Sequence, residues 1–151
     1  MQVKYVLLLV VVAVVAVAGY VFKQDYDYRQ LHGRVTEVGY LNWEQEVLKA
    51  DMPVLIYFYR DDHGQNPQAS AQAAEAQKRE VSDFAWSNAG EVKVVACDTG
   101  KPENLVLAIA HGAFRFPAYI VVVGENVVEG NAGSALSSED LERMLARVKQ
   151  P

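Results

Sequence analysis

The chain has 151 residues, 51% of them apolar, and a formal net charge of −5. That length suits one domain with a packed core, and an acidic balance with scattered lysines and arginines excludes the basic surface that a nucleic-acid partner requires. A lone cysteine, Cys97, cannot close an intramolecular disulfide, and three widely separated histidines (His32, His63 and His111) provide no zinc-binding spacing.

From Tyr5 to Phe22 no residue is charged, and Val, Leu and Ala dominate. A helix of ~20 apolar residues crosses a ~30 Å hydrocarbon layer. Lys4 and the amino terminus precede the run, which favours a cytoplasmic N-terminus. Residues 1–22 are therefore expected to form a transmembrane signal-anchor, since ~18 apolar residues exceed a usual signal-peptide core. Ala16-Val17-Ala18 before Gly19 also fits a signal-peptidase site, with secretion after cleavage at Ala18 as the alternative. Both readings put the remainder outside the cytoplasm, on the periplasmic side in a bacterium. Residues 23–33 (KQDYDYRQLHG) are polar and without sustained periodicity, which reads as a linker to a domain spanning 34–151.

Within that domain, Arg34 to Val38 is a short strand candidate. Asn42 is a plausible cap, with Gln45 three residues on, for a helix presenting Trp43, Val47 and Leu48 and stopped by Pro53. Val54 to Tyr59 (VLIYFY) is a continuous β-branched and aromatic run, suited to a strand buried on both faces. After the polar turn 60–66, Asn66 and Pro67 favour the start of a helix running to about Asn88. Its alanines 69, 73 and 76 suggest close helix–sheet packing, with Val81, Phe84 and Ala85 adding an apolar face.

A second strand, Val92 to Cys97, follows, then a helix opened by Pro102 and closed by Gly112. Tyr119 to Val123 and Val127 to Glu129 pair across the turn 124–126. Ser137 to Asp140 is a capping box before Leu141, Met144, Leu145 and Val148 at helical spacing. The order β-α-β-α-β-α-β-β-α requires a parallel component with helices on both faces and ends in an antiparallel hairpin.

Four local strings, taken in order, resemble the thioredoxin family from Val35 to Val148. Met52 to Tyr59 is similar to the strand leading into the family's active site, and Val94 to Asp98 to its next strand. Gly112-Ala113-Phe114-Arg115-Phe116-Pro117 is similar to the segment ending in the family's cis-proline, and Gly133 to Ser137 to the approach to the last helix. The resemblance implies a thioredoxin fold with a central mixed sheet. It also places Asp62-His63-Gly64-Gln65-Asn66 where the family carries Trp-Cys-Gly-Pro-Cys, so that His63 and Asn66 stand for the two cysteines and Tyr57 for the buried carboxylate.

Dithiol exchange needs two thiols within bonding reach. The resemblance therefore implies a redox-inactive, non-enzymatic module without a cofactor, whose groove binds or chaperones another envelope or membrane protein. The expected binding residues are His63, Gly64, Gln65, Asn66, Arg115, Phe116 and Pro117, with Pro117 in a cis bond. Two alternatives stay open: a monothiol redox role for Cys97, and a metal site at Asp61, Asp62 and His63. Against these stand a buried, inert Cys97 and a merely solvated turn.

Overall fold

The computed structural model describes residues 2–60 and 67–149. Among these residues, five strands form one sheet: β1 (Thr36–Val38), β2 (Val54–Tyr59), β3 (Lys93–Asp98), β4 (Ala118–Val123) and β5 (Asn126–Ala132). Their spatial order is β1-β3-β2-β4-β5. β1 and β2 run parallel to β3, β4 runs antiparallel to β2, and β5 antiparallel to β4. The apolar run of β2 is explained by this position, since a central strand covered on both faces has no solvent side to show.

Because side chains alternate along a strand, the sheet separates two cores. On one face Ile56, Phe58, Val95, Cys97, Ile120 and Val122 pack with Trp43, Val47 and Ala108. On the other, Leu55, Tyr57, Val94, Tyr119 and Val121 pack with Val81, Phe84, Leu141 and Met144. Each fully buried side chain of this size contributes about 1.5–3 kcal/mol.

Among the described residues, four α-helices accompany the sheet: α1 (Gln2–His32), α2 (Pro67–Ser87), α3 (Pro102–Ala110) and α4 (Ser138–Val148). α2 and α4 cover the second face, and α3 covers the first beside a π-helical turn, Glu44–Leu48. The mixed α/β class and the alternating order follow the sequence pattern. α4 is capped as its sequence suggests: Asp140 N–H donates to Ser137 Oγ at 3.2 Å, and Ser137 N–H donates back to Asp140 Oδ2 at 3.1 Å.

Several local expectations are corrected. The segment 23–32 is not an irregular linker but the continuation of α1. No glycine or proline interrupts residues 20–32, and side chains four apart bond along the helix. Arg29 Nε pairs with Asp25 Oδ2 at 2.9 Å, Gln24 with Tyr20 at 2.9 Å and Gln30 with Tyr26 at 2.8 Å.

Asn42 does not cap a helix. Its Oδ1 accepts from Gly39 N–H at 2.8 Å and its Nδ2 donates to the Glu37 carbonyl at 3.1 Å, so it closes the turn after β1. Ala73 and Ala76 are exposed, and the α2 face on the sheet is instead formed by Gln77, Val81, Phe84 and Ala85; the side chain of Ala69 lies outside those described. β5 is longer than Val127 to Glu129, with a bulge opposite Val121 and Val122 that absorbs one extra residue.

Every large apolar side chain from Tyr5 to Phe22 is more than half exposed. The helix is long and apolar enough to cross a membrane, and a signal sequence has the same length and composition.

Candidate binding cleft

α3 is followed, after His111, by Gly112, whose φ of +81° is a conformation that glycine adopts without a steric penalty. Ala113 N–H then bonds the Ala108 carbonyl at 2.9 Å, and its side chain is fully buried. This anchored residue throws the next one outward, so Phe114 is 72% exposed despite being aromatic. Phe116 turns back to pack on the core beside β4. The Phe116–Pro117 peptide bond is cis, and the Pro117 carbonyl accepts from Gly133 N–H at 2.9 Å.

The backbone between these anchors is unengaged. Among the described residues, no hydrogen bond involves the N–H or C=O of Phe114, Arg115 or Phe116. Such groups are obligatory hydrogen-bonding partners that water or a ligand must satisfy.

Opposite this loop, Ser70, Ala73, Ala74 and Gln77 of α2 recur at the spacing of one helix face. With Tyr57, Tyr59, Arg60 and residues 114–117 they line a cleft of about 540 Å³. Ala73 and Ala74 leave the space that larger side chains would fill. Gln77 is buried, and its Nε2 donates to the Leu136 carbonyl at 2.7 Å. Leu136 N–H reaches Tyr119 Oη at 3.4 Å, so the loop before α4 is held at both its polar groups.

The aromatic wall is ordered. Tyr57 stacks on Tyr59 and on Tyr119 with ring centroids 5.4 Å apart in both pairs. Burial pushes the Tyr119 phenol up, so it stays neutral and keeps a proton to donate. Tyr59 Oη lies 3.3 Å from a Glu37 carboxylate oxygen, and the Lys78 ammonium lies 5.1 Å from the Tyr59 ring centre. Partial burial raises the Glu37 carboxyl, against the lowering effect of the Tyr59 hydrogen bond.

The charged residues lining the cleft, among those described, are Arg60 and Arg115. The Arg115 stem lies against Gly133, where an added Cβ would come within 3.2 Å of it. With its stem fixed and its head in water, this guanidinium is suited to meet a carboxylate.

Arg115, Phe116 and Pro117, which the sequence reading named as binding residues, all line this cleft. His63, Gly64, Gln65 and Asn66 lie outside the described residues, as do Asp61 and Asp62 of the alternative metal site. Cys97 does not reach the cleft. It is fully buried in the other core, opposite Val38 and Phe58 in the strand register. Burial, reinforced by the negative charges of Glu37 and Asp98, pushes its thiol up to about 12.

Sequence reasoning missed Tyr59, Arg60, Ser70, Ala73, Ala74, Gln77 and Phe114 as cleft residues. The spacing 70, 73, 74 and 77 was the available signal on α2. Phe114, placed just after a helix-closing glycine, was the signal in the loop. Comparison with protein-family models and with curated proteins finds no match for this chain.

Proposed function

We propose that the chain is a degenerate thioredoxin-fold module, tethered to or exported across a membrane, that binds an extended segment of another envelope protein and exchanges no disulfides. The observation that carries this reading is the unengaged backbone of 114–116 on the rim of an aromatic-lined cleft. An extended peptide would pair with those groups as an added strand does, while Phe114 and Tyr59 take an apolar side chain. Exposed Arg115 favours a segment that also carries an acidic residue.

The strand order and the helices on both faces support a thioredoxin fold. The buried position of the lone thiol supports a role without redox chemistry, because only an accessible thiolate attacks a disulfide. α1 supports the tether or the export signal.

The test is site-specific photocrosslinking from position 114 in intact cells, followed by affinity measurement on the segment recovered, with the full chain in detergent or nanodiscs. Phe114→Ala and Arg115→Glu change exposed side chains, so both should fold normally and weaken binding at least tenfold, about 1.4 kcal/mol or more. Unchanged affinity in both variants refutes the cleft. An insulin-reduction assay should show no activity.

A further inference from the structure

α1 is not a loose leash. Its last two turns dock on the C-terminal end of α2: Arg29 Nη1 donates to the Trp86 carbonyl at 2.8 Å, and the Tyr26 and Trp86 rings meet edge to face at 5.7 Å. Where the helix ends, Gly33 lies so close that an added Cβ would sit 3.1 Å from Trp86 Cα and 3.2 Å from Ala89 Cβ. The Tyr28 hydroxyl occupies the space a side chain at Gly90 would need. Tyr26, Tyr28 and Arg29 of α1, with Gly33 just past its end, therefore grip one short stretch, 86–90, and the helix runs unbroken from the apolar run to the grip.

The topology says which pole of the domain this is. β1, β2 and β3 are parallel, and α2 returns the chain from the C-terminal end of β2 to the start of β3. The end of α2 thus lies at the pole where the parallel strands begin. The cleft lies at the opposite pole, between the last residue of β2, Tyr59, the loop entering β4 and the first half of α2.

We infer that α1 is a rigid stalk that holds the domain with its cleft facing away from the bilayer, so that the cleft receives segments from the aqueous compartment and not from lipid-embedded neighbours. The inference rests on reading α1 as a retained anchor and the cleft as the binding site. The six residues of β2 extend about 20 Å as strand, which sets the separation between the gripped pole and the cleft pole. The cleft then opens about 20 Å farther from the headgroups than the grip does.

The experiment uses the full chain in nanodiscs with a short-range fluorescence quencher carried on the lipid headgroups. One dye is placed at Ser87→Cys, exposed at the end of α2, and in a separate sample at Lys101→Cys, exposed just past β3. Buried Cys97 leaves the introduced thiol as the labelling site. Quenching at 87 should exceed quenching at 101 severalfold. A Tyr28→Ala, Arg29→Ala double variant removes the grip on 86–90, at the cost of the Asp25 pair inside α1, and should collapse that ratio toward unity. Equal quenching at the two positions, a ratio that survives the double variant, or a chain that does not enter nanodiscs each overturns the inference. The readout needs no bound segment, so failure of the cleft to bind anything is distinguishable from failure of the stalk.

Discussion

At the scale of single residues, Cys97 shows how position governs chemistry. The same side chain at a helix start beside a cation would be a nucleophile. Placed inside the first core, opposite Phe58, it is a small apolar filler whose thiolate is disfavoured by burial and by Glu37 and Asp98. A maleimide dye at pH 8 should therefore leave the folded chain unlabelled and react fully in denaturant. Rapid labelling of the native chain contradicts this.

Asp140 is the opposite case, an exposed carboxyl held below the usual range by Arg143, whose Nη2 donates at 2.6 Å, and by the Ser137 hydroxyl and N–H. Its value falls from the usual 3.8 to about 2, so its folded form is the more acidic. The stabilisation is then fully present above pH ~4 and is lost as pH falls toward ~2. Denaturation of Asp140→Asn beside the wild type should show the variant less stable at pH 7 and the gap closed near pH 2. Ser137→Ala should cost about 1 kcal/mol in the same measurement at neutral pH.

At the scale of elements, the junction of α1 and α2 carries the most consequence. Gly90 has a φ of +84°, and the Tyr28 hydroxyl fills the place of its absent side chain. Gly90→Ala should destabilise the domain by about 1 kcal/mol or more from backbone conformation alone, with an added cost from displacing Tyr28. In a Tyr28→Ala background that second cost should vanish, leaving the backbone component. Thermal unfolding of the four chains in this cycle measures both, and an unchanged cost in the double variant would show that Tyr28 does not touch this turn. The helix before β2 illustrates a different element-scale outcome: its sequence favours a short α-helix, and the fold uses a π-helical turn that still buries Val47 and Trp43 against Phe58.

At the scale of the whole molecule, one sheet divides two cores, and their independence is measurable. Ile120→Val removes one methylene from the first core and should cost about 0.5–1.5 kcal/mol, while Leu141→Ala empties part of the second and should cost about 2–5 kcal/mol. Sharing no partners across the sheet, the two should add to within about 0.5 kcal/mol in urea denaturation. A larger departure would mean that strain passes through β2 and β4. The cleft belongs to the same scale, since its lining comes from β2, the α3–β4 loop, α2 and the loop before α4.

The element order, the buried central strand VLIYFY, the capping box at Ser137 and the spanning length of α1 were all legible in residue order. Each depends on neighbours within a few positions, through helical or strand periodicity, side-chain caps and chain-breaking residues. The segment 23–32 was misread because polarity was taken for irregularity, although its residues favour helix and pair four apart. The alanines of α2 were misassigned because a small residue fits equally well against a sheet or beside a cleft. Which of these holds depends on the distant loop 114–117. The grip of α1 on Trp86 and Gly90, the exposure of Phe114 and the depth of Cys97 likewise depend on groups tens of residues apart meeting in space, a proximity that short-range periodicity does not encode.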